Sequence, residues 1–215
     1  MRPFINSVIV TFCLANFAWA QAPAPAVNLV GDRFKPLTYD EMNAEQKSLV
    51  NHLLSGERGS LGGPFNVLLR SPEMGDIAQQ LGAYIRFHSS LPKKVNELAI
   101  IIAARHWTAQ FEWTAHRRAA QQAGVPEAVI VAIAEGKRPT AMDPELETAY
   151  NFCTELLRTK QVGDTTYRAA TAQFGERGVV DMIGALGYYQ MVSMLLNVDR
   201  YPLGDGQTPE LKPLP

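Results

Sequence analysis

Cysteine is scarce in this chain, which has only Cys13 and Cys153 among its 215 residues. Cys13 lies in an N-terminal segment that we expect to be removed, so one thiol remains. A single cysteine cannot form an internal disulfide, a Cys-x-x-Cys redox pair or a thiolate zinc site. Apolar neighbours such as Phe152 and Leu156 predict that Cys153 is a small, buried hydrophobic residue.

Runs of basic residues are also lacking. The formal net charge is -1, and basic residues cluster no further than pairs such as Lys93-Lys94 and Arg117-Arg118. Binding to nucleic-acid phosphates requires a clustered basic face. We therefore expect no nucleic-acid partner.

The first twenty residues have the pattern of a signal peptide. Arg2 supplies a positive charge, Phe4 to Phe17 is largely apolar, and Ala18-Trp19-Ala20 is a small-x-small cleavage site. The apolar run is too short for a permanent membrane span, although an anchor is the alternative interpretation. We expect a mature protein that starts at Gln21, is secreted or periplasmic, and has no membrane association after cleavage.

Residues 38–200 are predicted to form one helical domain between two extended, proline-rich ends, an arm at 21–37 and a tail at 201–215. Within the domain, apolar residues recur at helical spacing in eight or nine segments, and no segment alternates as a strand does. Residues 97–104 have almost no polar face, which predicts a central, fully covered helix. The sequence therefore predicts an all-α fold.

Three side chains are candidates for chemistry: Glu97, Glu112 and His116. Glu97 enters the nearly all-apolar helix, where a carboxylate is rarely buried unless it is paired or functional. Glu112 and His116 are four residues apart, so they share a helix face and can reach each other. Two carboxylates and an imidazole in an apolar pocket can transfer protons. A surface ion pair, a helix-N-terminal acid and a Glu-Glu-His metal site remain open as alternatives.

Three segments of the chain resemble the carboxymuconolactone decarboxylase family. They are Asn-Glu-Leu-Ala-Ile-Ile at 96–101, Ala-Arg-His-Trp at 104–107 and Phe-Glu-Trp-Thr-Ala-His at 111–116. Flanking pieces, such as Gly-Pro-Phe-Asn at 63–66 and Gly-Tyr-Tyr at 187–189, agree with this resemblance. It covers about residues 64–197 and implies an alkyl-hydroperoxidase-like helical fold that assembles as a homo-oligomer, commonly a trimer or hexamer.

The family that the chain resembles has two branches with different chemistries, a peroxidase branch and a decarboxylase branch. The Cys-x-x-Cys pair of the peroxidase branch falls on Ala109 and Glu112, so the disulfide-based mechanism lacks both of its thiols. The Glu, Glu and His of the decarboxylase branch fall on Glu97, Glu112 and His116. Those enzymes release carbon dioxide from a carboxylated muconolactone without a metal or organic cofactor. We expect Glu112 and His116 to shuttle a proton while Glu97 orients the imidazole.

Four further residues are predicted to contact a substrate: Arg105, His106, Trp113 and Tyr188. Arg105 would supply positive charge, because Ala109 stands where the decarboxylases tend to carry a basic residue. Adjacent helix residues face different sides, so only one member of the Tyr188-Tyr189 pair is expected to reach a given cavity.

The leading prediction is therefore a secreted lyase that acts on a small lactone or keto acid and needs no cofactor or metal. The first alternative is an antioxidant, peroxidase-type protein that uses an external thiol or Cys153. The second alternative is a non-enzymatic, ligand-binding helical oligomer in which the Glu-His pair is structural.

Overall fold

The computed structural model describes residues 25–213, and these contain helices and irregular segments but no strand. The predicted signal peptide at 1–20 lies outside the described residues. The predicted all-α fold is confirmed. The eight α-helices of the described part are α1 (Ala44–Ser55), α2 (Phe65–Leu68), α3 (Pro72–Ala83, continued by a π-helical turn at Tyr84–His88), α4 (Lys93–His106), α5 (Gln110–Gln122), α6 (Glu127–Ala134), α7 (Pro144–Thr159) and α8 (Asp164–Asp199).

Helix α4 is the centre of the domain. Every residue from Val95 to Arg105 is buried, and the helix packs against α5, α7 and α8. Its polar members need partners in this position: the Asn96 side-chain amide, for example, donates to the Ile85 carbonyl. The apolar pattern of residues 97–104 thus places a few polar groups, including Glu97, inside the protein.

Helix α8 is the longest helix of the described residues. Its backbone is interrupted at Gly175, where φ is 67° and ψ is 172°, so it consists of two helical stretches. By length and composition α8 could cross a membrane, but 56% of its most apolar stretch is buried inside the protein. Such burial is also found in the core helices of globular proteins.

The N-terminal arm is attached to the end of α8 and to α2. The backbone N–H groups of Asp32 and Phe34 both donate to Asp199 Oδ1, at 3.3 and 2.8 Å. The Asn66 side-chain amide donates to the Phe34 carbonyl at 2.6 Å. Asp199 and Asn66 are fully buried by these contacts, so the arm belongs to the packed domain at this point.

The C-terminal tail lies on α5. The Gln110 side chain accepts hydrogen bonds from the N–H groups of Glu210 and Leu211 and donates to the Leu211 carbonyl. Glu210 in turn accepts from the Trp113 indole at 3.1 Å and forms an ion pair with Arg117. Leu211 is buried by this docking.

Replacing Gly31 by Ala is expected to destabilise the domain. A Cβ atom at Gly31 would overlap the Asn66 side-chain amide and lie 2.7 Å from Asp199 Oδ2 and from the Phe34 carbonyl. Relieving such overlap typically costs about 1–3 kcal/mol. Urea unfolding measures the loss, and Gly62→Ala, where a Cβ meets nothing within 4 Å, is the matched control. Equal stability of the two variants would contradict this account of the arm.

Candidate functional site

A short connection between α4 and α5 sets up the site. It spans only residues 107–109, and Thr108 has a φ of 48°, in the left-handed region that non-glycine residues rarely adopt. Its backbone is held by hydrogen bonds from the N–H groups of Thr108 and Ala109 to the carbonyls of Arg105 and Ala104. Since the two helices pack together, the start of α4 and the middle of α5 face each other.

Glu97, Glu112 and His116 meet between these helices, and we call them the trio. His116 Nδ1 lies 2.7 Å from Glu97 Oε2, in a well-aligned hydrogen bond. His116 Nε2 lies 3.1 Å from Glu112 Oε1. Side-chain exposure is 7% for Glu97, 5% for Glu112 and 11% for His116, so the alternative of a surface ion pair is wrong.

The two carboxylates hold His116 in its charged form. Burial alone would lower the pKa of His116, but the hydrogen bonds and negative charges of Glu112 and Glu97 outweigh burial and raise the pKa to about 9. An imidazolium donates from both ring nitrogens, which matches a ring with one carboxylate at each nitrogen. At neutral pH the trio is therefore a buried set of groups in which His116 carries a proton that it can release.

The two carboxylates are not equivalent. Glu97 accepts a short hydrogen bond from His116, whereas Glu112 makes a longer contact and has no other hydrogen bond within residues 25–213. Glu97 thus fixes the ring orientation, and Glu112 keeps acceptor capacity for another group.

Two tyrosines of α8 line the same region. The Tyr189 ring packs edge-on against the His116 ring with 4.8 Å between centroids, and the Tyr188 ring contacts the Tyr189 ring at 5.2 Å. Burial first, and then the charge of Glu112, raise the pKa of Tyr189 well above its ordinary value. Burial also raises the pKa of Tyr188, so both phenols stay protonated. The Tyr189 ring thus contacts the trio directly, whereas the Tyr188 ring contacts Tyr189. That only one of the pair reaches a given cavity stays a prediction.

Arg58 lies beside Tyr188, and no pattern in the sequence predicts this position. It lies in the loop between α1 and α2, with its guanidinium 4.8 Å above the Phe65 ring. Arg58 Nη1 and the Tyr188 hydroxyl both approach the position that a Cβ atom would take at Gly82. Both atoms are buried without a well-aligned hydrogen bond, and no carboxylate within residues 25–213 pairs with Arg58.

Three of the predicted substrate-binding residues lie elsewhere, which corrects that part of the prediction. Arg105 and His106 line a cavity that none of the trio lines. Arg105 follows Glu97 by eight residues, which is about 12 Å along a helix. Trp113 is fully buried and donates to Glu210, on the side of α5 that carries the tail. Only Tyr188 of the four lies with the trio.

The trio is not arranged as a metal site. No group of three or more His, Cys, Asp or Glu residues in the described part of the chain could hold a metal ion. A metal needs ligand lone pairs that converge on one point, whereas the His116 ring lies between the two carboxylates and directs one nitrogen at each.

The fold and the trio together define an all-α protein with a buried Glu-His-Glu proton-transfer set. Residues 72–155, which contain the trio, match the model of the Carboxymuconolactone decarboxylase family. The resemblance predicted from the sequence is confirmed over this segment.

The fold is shared with a solved structure of low sequence identity. The crystal structure of a protein of unknown function from Agrobacterium tumefaciens, provisionally described as the antioxidant defence protein AhpD, is 16% identical. The match covers 66% of this chain and 100% of that chain, with a TM-score of 0.57. It confirms the predicted alkyl-hydroperoxidase-like fold. No curated protein matches the sequence.

The raised pKa of His116 predicts a pH-dependent contribution to stability. The folded value of about 9 exceeds the ordinary 6.5, so this contribution is complete below pH 6.5 and is lost as pH rises through 9. Each pKa unit corresponds to about 1.4 kcal/mol. The unfolding free energy of the protein minus that of His116→Gln should therefore fall by up to about 3 kcal/mol as the pH rises from 6.5 to above 9.

Urea unfolding of the protein and His116→Gln between about pH 6 and pH 10 measures this change. His52→Gln, at an exposed histidine, is the matched control and should not alter the pH profile. A stability difference for His116→Gln that is the same across the range would show that the imidazole is uncharged in the folded protein.

Proposed function

We propose that the protein is an enzyme that releases carbon dioxide from a small carboxylated lactone or keto acid by general acid/base proton transfer. The observation that supports this most directly is the buried trio, in which an imidazolium lies between two carboxylates. Loss of carbon dioxide leaves an electron pair on the substrate, delocalised as an enolate, and the reaction ends when that carbon receives a proton. A positioned acid in a water-poor site is the group that this chemistry requires.

The geometry supports separate roles for the three residues. The transferred proton starts on His116, whose Nε2 lies 3.1 Å from Glu112 Oε1. Glu112, which has the less engaged carboxylate, accepts this proton and passes it to the substrate carbon, so His116 is left neutral and Glu112 is again ionised until His116 takes up a proton from solvent. Glu97 binds Nδ1 at 2.7 Å and keeps the ring in place, which makes it a positioning residue. This division agrees with the roles expected from the sequence.

Arg58 and Tyr188 are the groups that we assign to the substrate carboxylate. Arg58 is half-buried, and its Nε and Nη1 atoms are buried without hydrogen-bond partners within residues 25–213, so an anionic substrate would supply the acceptors that they lack. Arginine binds carboxylates through two parallel hydrogen bonds, and a protonated phenol adds a third donor. In this proposal Arg58 supplies the positive charge that the sequence predicted for Arg105.

An antioxidant activity is the second candidate, and its support is the description of the fold relative. A thiol peroxidase needs an accessible thiolate. Cys153 is fully buried, and burial raises its pKa to about 12. A peroxidase function of this chain would therefore depend on an external thiol.

We also propose that the protein is exported and assembles with copies of itself. Export rests on the predicted signal peptide, and the N-terminal residue of the protein recovered from cells tests it. Assembly is supported by an exposed apolar stripe on α8, and light scattering tests it. The stripe comprises Val180, Ile183, Met194 and Val198, which are 40–65% exposed.

Glu112→Gln is expected to abolish turnover and leave the fold intact. The amide keeps the shape of the side chain but cannot carry the transferred proton, and losing a general acid costs about a hundredfold or more in kcat. Carbon dioxide release from a panel of carboxylated lactones and β-keto acids measures this, and deuterium incorporation from heavy water into the product measures the proton step. Glu176→Gln, at an exposed glutamate, is the control.

Release by Glu112→Gln at the level of the unaltered protein would overturn the assigned role of Glu112. Absence of release and of deuterium incorporation across the whole panel, with the unaltered protein folded, would overturn the decarboxylase proposal itself. Circular dichroism and the melting temperature establish folding in both cases.

Arg58→Gln is expected to raise KM about tenfold or more with a much smaller change in kcat, because a substrate carboxylate loses its charged partner. Its melting temperature should change little, since Arg58 is half-buried and forms no ion pair within residues 25–213. Arg58→Lys should recover part of the affinity, and Arg118→Gln, at an exposed arginine, is the control. An unchanged KM in Arg58→Gln would place the carboxylate elsewhere.

A further inference from the structure

A cavity of about 770 Å³, open to solvent, lies at the C-terminal end of α4, away from Glu97. It is lined by α4, α7, the start of α8, the end of α6 and the segment that follows α6. None of the trio, Arg58, Tyr188 or Tyr189 lines it. The proposed decarboxylase reaction therefore makes no use of it.

The charge of this cavity is strongly one-sided. Four Lys and Arg side chains line it, namely Arg105, Lys137, Arg138 and Arg158, against one carboxylate, Glu155. Glu155 is already engaged, because it accepts hydrogen bonds from the Gly163 N–H at 2.8 Å and from the Thr166 hydroxyl at 2.5 Å. The cavity therefore presents a clear excess of positive charge.

Two of the four cations form ion pairs, and the other two do not. Lys137 and Arg138 form ion pairs with Glu135 and Glu147, both at 2.8 Å and both well exposed. Exposed pairs of this kind are weak and exchange readily. Arg105 and Arg158, in contrast, have no carboxylate within 4 Å anywhere in residues 25–213.

The surroundings of Arg105 are evidence, separate from the charge of the lining, that the cavity binds an anion. The residue is only 5% exposed, and its guanidinium donates to two neutral groups, Thr108 Oγ1 at 3.2 Å and the Lys212 carbonyl at 2.8 Å. Its Nε is buried and has no hydrogen-bond partner within residues 25–213. A buried charge without a counter-ion is strongly unfavourable, so a negative group bound in the cavity would relieve a cost that the free protein carries.

The rest of the lining is apolar or neutral. Ile102, Ile133 and Leu157 contribute hydrocarbon, and Tyr150 contributes an aromatic ring. Burial first, and then the charge of Lys160, lower the pKa of His106, so its imidazole is neutral at physiological pH. This surface suits the apolar body of a ligand whose acidic group lies near Arg105 and Arg158.

We propose that this cavity is a second ligand site, which binds a small organic anion that carries a carboxylate, sulfonate or phosphate group on an apolar or aromatic body. Arg105 and Arg158 bind the acidic group, and the aliphatic and aromatic side chains cover the body. Binding there is independent of the trio and of the reaction proposed for it.

Titration with anilinonaphthalene sulfonate, followed by fluorescence and calorimetry, tests this site. The neutral phenylnaphthylamine, which has the same rings without the sulfonate, is the matched probe. We expect saturable binding of the sulfonate with one site per chain, and binding of the neutral probe at least about tenfold weaker. Arg158→Gln should weaken sulfonate binding about fivefold or more. Arg168→Gln, which removes an exposed charge outside the cavity, should not weaken it.

Arg105→Gln gives a second, more severe test, with its melting temperature as the check on folding. Glu112→Gln should bind the sulfonate as the unaltered protein does, even where it has lost turnover, so failure of the decarboxylase proposal leaves this result untouched. Equal affinity for the charged and neutral probes, or equal losses in Arg158→Gln and Arg168→Gln, would overturn the proposal. So would the absence of saturable binding to the folded protein.

Discussion

The burial of α4 on every side is the constraint on which the rest of the structure depends. Residues from Val95 to Arg105 have no access to water, so α5, α7 and α8 must cover the helix together. Burying an isoleucine such as Ile100 or Ile101 contributes about 1.5–3 kcal/mol, and the helix contains several such residues in succession. Any polar side chain on this helix must therefore find a partner inside the protein or remain unsatisfied at considerable cost.

The protein treats its buried charges in two different ways. His116 is compensated on both sides by Glu97 and Glu112, and the three form one hydrogen-bonded unit. Arg58 and Arg105 have no counter-ion in the described part of the chain and keep buried nitrogen atoms without partners. Stability alone would favour neutral residues at those two positions. Departures from the rules of packing and pairing concentrate at functional sites, so the two arginines are the positions where an anionic ligand is expected.

Much of the fold and part of the site were predictable from the sequence, because both depend on local spacing. The absence of a polar face in residues 97–104 predicts the central helix, and the interval of four residues predicts that Glu112 reaches His116. Glu97 was a candidate because a carboxylate is rare on so apolar a helix, and the family resemblance joined it to Glu112 and His116, which no local pattern does. Arg58 was not predictable, because it lies in a glycine-rich loop without periodicity and reaches Tyr188 only through tertiary packing. Arg105 was misplaced, because its separation of eight residues from Glu97 corresponds to about 12 Å along α4.

The attachment of the N-terminal arm to Asp199 has a consequence for the order in which the chain can fold. The hydrogen bond from the Asp32 N–H to Asp199 joins residues that are 167 positions apart. Contacts of such long range form late, because the loop between them must close before they gain anything. During synthesis the hydrogen bonds from Asp32 and Phe34 to Asp199 therefore cannot form until almost the whole chain has left the ribosome, whereas the bond from Asn66 to Phe34 can form much earlier. The arm is thus attached to the domain in two stages, first at α2 and last at the end of α8.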